Sequence, residues 1–139
     1  QPPKKWKFVI MNKPRNPSLI AAPSGPFCHT SEVPAGSRLL YISGQVGLLP
    51  SGEIPVGIEA QASATWDNIE ACLADADMSV DDLVKITTFI VKPEDLRVAG
   101  KERAKRLGNS RPTSSTIVVA ALVDPSLLIE IEAVAAAKV

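Results

Sequence analysis

Apolar positions recur along this chain with two different periods, and the change of period marks out the elements. From Ile58 to Ala76 they fall at Ile58, Ala62, Trp66, Ile69, Leu73 and Ala76, with Glu59, Asp67, Glu70 and Asp75 between them. Steps of three and four put the first set on one side of a helix and the acids on the other. A second helix is predicted from Pro93, which suits a first helical turn, with Glu94 and Asp95 at its positive end. Lys101, Arg103, Lys105 and Arg106 sit near its other end and read as a solvated face, and Gly108 stops it.

Elsewhere the pattern is that of strands. Residues 38–44, RLLYISG, follow a turn at Ala35–Gly36, and a loop from Gly47 to Gly57 centres on Pro50-Ser51-Gly52. LVKITTFIV at 83–91 predicts a strand, as do Ser115–Val123 and Leu128–Ala137, joined by a turn at Asp124–Pro125. Shorter strands are expected at Phe8–Met11 and Cys28–Val33 within a proline-rich opening. This order describes an α+β domain with two helices on one face of a mixed sheet. Between Thr116 and Val123 both parities are apolar, Ile117, Val119 and Ala121 one way and Val118, Ala120 and Leu122 the other. Two helices cover one face only, and a second apolar face is larger than monomers usually leave in water. A second copy of the chain is the cheapest cover, so a homo-oligomer is predicted; the alternative is a monomer whose N-terminal segment folds over that face.

Composition narrows the chemistry. A chain of 139 residues suits one domain, and 45% hydrophobic residues suit a packed one. Lys+Arg and Asp+Glu balance at 15 each, which gives no electrostatic argument for nucleic acid. Lys4, Lys5 and Lys7 around Trp6 read as a solvated tail. Cys28 and Cys72 form no CxxC and no zinc spacing, and His29 is the single histidine, so neither a metal nor another cofactor is expected. No apolar run approaches the roughly 18 residues of a membrane span. Residues 1–10 are too short and polar for a secretory signal, which makes a cytoplasmic protein the expectation. Residues 1–18 are read as an N-terminal extension or vector-derived remnant, with Met11 a candidate start, and residues 19–139 as one domain.

Four motifs then stand in order: Tyr41-Ile42-Ser43-Gly44-Gln45-Val46; Ala60-Gln61-Ala62 with Trp66-Asp67-Asn68-Ile69; Val84-Lys85-Ile86-Thr87-Thr88-Phe89; and Ile129-Glu130-Ile131-Glu132-Ala133. Together they resemble the SGQ, AQ…DNI, VKxTxF and IEIEA segments of the Rid (YjgF/YER057c/UK114) family, over residues 19–137. The resemblance implies a chorismate-mutase-like fold and a homotrimer whose sheets form a central β-barrel, helices outward. It also implies a small-metabolite cleft at each subunit interface, with hydrolysis of enamines or imines such as 2-aminoacrylate to a keto acid and ammonia.

In that family an arginine on a PARS-type strand holds the substrate carboxylate, a task suited to a planar guanidinium that stays charged. Here the strand reads Arg111-Pro112-Thr113-Ser114-Ser115-Thr116, which places Ser114 where the arginine belongs. Arg111, three residues upstream, is a candidate replacement or a surface residue. The resemblance makes Glu130 the residue that positions the hydrolytic water, leaving Glu132 structural. Phe27 stands for a common tyrosine, Ser43 and Gly44 line the cleft, Phe89 is an apolar wall or a core residue, and Thr116 shares the substrate-facing strand. The neighbours Cys28 and His29 form a poor nucleophile pair, since adjacent residues on an extended segment point apart. With the arginine gone, a non-catalytic metabolite binder is the alternative; a ribonuclease is disfavoured by the neutral chain and its single histidine.

Overall fold

The computed structural model describes residues 12–139. In chain order these hold β1 (Lys13–Arg15), β2 (Thr30–Glu32), β3 (Arg38–Val46), α1 (Ile58–Asp75), β4 (Leu83–Ile90), α2 (Leu96–Leu107), β5 (Thr113–Val118) and β6 (Ile129–Ala137). The strand expected at Phe8–Met11 lies outside the described residues, and that at Cys28–Val33 narrows to β2. Short 3-10 turns at Val80–Asp82 and Pro93–Asp95 lead into β4 and α2. Gly108, at φ 56°, ends α2 and returns its N–H to the Ala104 carbonyl.

Four strands form one sheet in the order β3-β6-β4-β5. β6 runs antiparallel to both β3 and β4, whereas β5 lies parallel to β4 because α2 carries the chain back across the sheet. Every second residue of β6 (Ile129, Ile131, Ala133, Ala135, Ala137) is buried, and β4 matches it with Leu83, Ile86 and Ile90. Trp66, Ile69 and Leu73 of α1 and Ala99 and Leu107 of α2 close over that face. Both helices therefore cover one side of a mixed sheet, as the periodicity requires. Among the described residues no helix is long and apolar enough to cross a membrane.

The other side is open. Leu39 and Tyr41 of β3 and Ile117 of β5 are exposed there, Tyr41 by 75%. Lys85 Nζ donates to Ser115 Oγ at 2.8 Å on this face, beside a shallow depression of about 260 Å³ lined by Tyr41, Lys85, Thr87, Glu132 and Val134.

Two departures from the pattern-based expectation exceed a shift of a few residues. β5 stops at Val118 rather than Val123, because its neighbour β4 stops at Ile90; the Ile90 carbonyl takes the Val119 N–H at 2.8 Å, and no strand lies beyond. The apolar run through Val123 thus belongs partly to a loop, and the open face is mixed rather than continuously apolar. At the N-terminal side, β1 pairs with β2, and the Asn12 amide donates to the carbonyls of Ala136 (3.0 Å) and Asp82 (3.3 Å). From Asn12 onward, the segment read as an extension is tied into the domain.

Candidate functional site

At the end of β3 the register against β6 slips between Ile42 and Gln45. Such a bulge re-aims the residues around it. Gly44 stands in the slip, and its lack of a side chain lets the Glu130 carboxylate lie where it does: a Cβ there would overlap that carboxylate and lie 2.8 Å from Cδ. Glu130 pairs with Val46 on one side and Phe89 on the other, so it sits between the β3 bulge and an aromatic neighbour on the open face. Ser43 is exposed beside Gly44, and its carbonyl accepts from Gln45 Nε2 at 3.1 Å. Glu130 is half-buried, with no ion pair among the described residues. Ser43, Gly44, Phe89 and Glu130 are brought together from three strands.

Ser114 and Thr116 are not among them. They pair with Ile86 and Thr88, the β4 residues that point toward the helices. The Ser114 Oγ is buried there without a hydrogen-bond partner, while Thr116 Oγ1 accepts from Arg103 Nη1 at 3.1 Å. Glu130 and Ser114 thus lie on opposite faces of one sheet. Phe27 comes close to β5 by another route: the Cys28 N–H donates to the Pro112 carbonyl at 3.2 Å, and Cys28 bridges to Thr113. The Phe27 ring meets His29 edge-on at 6.1 Å. Arg111 occupies the turn between α2 and β5, where Nη1 donates to the carbonyls of Gly108 and Ser110 at 2.8 Å each. The Cys28 thiol turns to the Thr30 carbonyl (3.0 Å), and burial pushes its pKa up; His29 Nε2 lies 2.7 Å from the Ala21 carbonyl. Among the described residues no three His, Cys, Asp or Glu side chains gather in a metal-holding group.

The basic end of α2 departs from the solvated face its composition suggests. Arg106 has a side chain only 14% exposed; it donates to Glu102 (2.8 Å), Asp67 (2.8 Å), Glu70 (2.5 Å) and Ser63, clamping α2 onto α1. Burial opposes its charge, but the carboxylates outweigh burial and hold the guanidinium above its ordinary range. Arg103 is the opposite case. It is half-buried, burial pulls its pKa down, its Nε is buried without a partner, and no carboxylate pairs with it among the described residues. The sequence does carry a signal for it: Ala99, Arg103 and Leu107 step by four along the helix, and the outer two are buried.

The meeting of Gly44 with Glu130 joins the SGQ and IEIEA segments in space, and a family model described as Endoribonuclease L-PSP matches residues 20–137. The chain belongs to the Rid family. A RutC family protein of Pyrococcus horikoshii is 34% identical over 115 residues, which is 81% of this chain and 88% of that protein. TdcF of Escherichia coli, whose name assigns it provisionally to reactive intermediate deamination, is 32% identical over 91% of this chain and 95% of its own. Among solved structures, the Rid family protein YyfB of Yersinia pestis superposes with a TM-score of 0.80 at 34% identity, covering 90% of this chain and 98% of that one. RidA from an Antarctic Psychrobacter gives 0.68 at 30% identity, over 82% and 90%. These neighbours share the fold expected from the four motifs.

Proposed function

We propose that this Rid family member hydrolyses a reactive enamine or imine to a carbonyl compound and ammonia, in a cleft between subunits of a homotrimer. The observation that carries this reading is the Glu130 carboxylate laid against the bare Cα of Gly44. A half-buried carboxylate with no cation on it is free to accept a proton from water. Water adds to the imine carbon, Glu130 takes the proton released and passes it to the nitrogen, and the carbinolamine then expels ammonia. Gly44 leaves room for that carboxylate to lie against the β3 backbone, and Phe89 supplies an apolar flank.

Two observations support the assembly. Leu39, Tyr41 and Ile117 stand exposed on the open face. Glu130 and the helix-facing Ser114 lie on opposite faces of the sheet, so a site that used both would need a neighbouring copy. Freshly generated 2-aminoacrylate tests the chemistry. Keto acid should form with the native protein at a rate well above the uncatalysed one, and Glu130→Ala should bring the rate back to background. A native protein that titrates with small keto acids but yields none from enamines is instead a metabolite binder, the reading that the serine at position 114 favours.

A further inference from the structure

A cation missing from β5 stands a short distance away on α2. Arg103 projects from the helix face that packs on the sheet, and its Nη1 reaches Thr116 Oγ1 at 3.1 Å. Thr116 and Ser114 are two apart on β5 and share its helix-facing side. The guanidinium therefore lies over the strand, one pleat from Ser114, with Nη2 turned back along the helix; a Cβ at Gly100 would sit 3.9 Å from it.

Three features separate this arginine from an ordinary packing residue. Arg106, one turn along, is matched by Asp67, Glu70 and Glu102, whereas Arg103 has no carboxylate among the described residues. Its Nε is buried and unpartnered, as is the Oγ of Ser114, two residues before Thr116 on the same side of β5. A half-buried charge without a counter-ion is costly, and a hydroxyl repays little of that cost. Finally, the arginine stands at an open border: β5 is the edge strand, Cys28 bridges only its first residue, and Thr116 is exposed.

We infer that Arg103 is the anion anchor of the cleft, taking the carboxylate of a small 2-imino or 2-keto acid with the Thr116 and Ser114 hydroxyls beside it. The charge lost from the strand has moved to the helix above. This rests on the proposed function for the location of the cleft, and it narrows the substrate class to carboxylates. Arg111, held by the carbonyls of Gly108 and Ser110, is not the replacement.

Calorimetric titration of the full chain with pyruvate, and with pyruvamide as its uncharged analogue, is the test. The native protein should bind pyruvate at least tenfold more tightly than pyruvamide. Arg103→Gln and Arg103→Met should each weaken pyruvate at least tenfold and erase the preference, Arg103→Lys should restore part of it, and Arg111→Gln should change neither. A second readout is thermal: Arg103→Met keeps the apolar stem and removes the unpaired charge, so it should melt higher than the native protein. Pyruvate binding that is absent from the native protein, or unchanged in Arg103→Gln and Arg103→Met, overturns the anchor. A chain that binds pyruvate through Arg103 yet makes no keto acid from 2-aminoacrylate sinks the reaction and leaves the anchor standing.

Discussion

A single missing side chain sets the geometry around Glu130. Alanine at position 44 would drive its Cβ into the Glu130 carboxylate, which is the far end of a flexible side chain and can swing away. Gly44→Ala should thus leave the melting temperature nearly unchanged while lowering keto-acid formation about 100-fold, the scale expected when a reacting group is displaced by about 1 Å. Melting curves and initial rates on the same preparation separate the two effects. A different residue-scale effect concerns charge. Arg15 hydrogen-bonds Glu32 and holds that carboxyl below its ordinary range. A lowered folded pKa means the pair favours the β1–β2 ribbon above the ordinary carboxylate range and releases it as pH falls through the lowered value. An NMR pH titration should find Glu32 titrating low in the native protein and returning upward in Arg15→Gln.

Between elements, two polar clamps join what the apolar core alone would leave free to slide. Arg106 holds α1 to α2 through three carboxylates, of which Glu102 is 17% exposed and Asp67 is 66% exposed. Arg106→Ala strands those acids together, and partial exposure discounts the cost to about 2 kcal/mol by urea denaturation. Gln61 is 2% exposed; its amide donates to the carbonyls of Pro55 (3.1 Å) and Ser126 (2.8 Å) and accepts the Leu128 N–H at 2.8 Å. It ties the loops before α1 and before β6 to the helix, so Gln61→Leu should destabilise by about 2 kcal/mol, because three backbone groups lose their partner. Helix limits were legible to within a residue at α1, where period and the flanking glycine agree. The end of β5 was not, because it is fixed by where β4 runs out, and a strand's pattern says nothing of its neighbour's length. The basic cluster of α2 misled in the same way: four cations within six residues look solvated, and only packing against α1 and β5 separates Arg106 and Arg103 from Lys101 and Lys105.

For the whole molecule, the open sheet face makes the sharpest claim. Light scattering should give three times the chain mass. Tyr41→Glu places a carboxylate beside Glu132 in the depression on that face and should drive the assembly toward monomer. The same variant should lose keto-acid formation along with the assembly if the cleft is built from two chains, as proposed. A monomeric native protein would remove both the assembly and the composite cleft.

Alternation and helical period, read along the chain, were enough to determine the α+β class, both helices and three of the long strands, and four motifs in order carried the resemblance to the family. Those are local or family-wide properties, carried by which residues are apolar and how far apart they stand. Tertiary structure alone decided that Glu130 lies on Gly44, that Ser114 faces away from Glu130, and that Arg103 crosses from α2 to Thr116. Each of these depends on strand register and helix docking, where a shift of one residue turns a side chain to the other face, and no single segment contains that information.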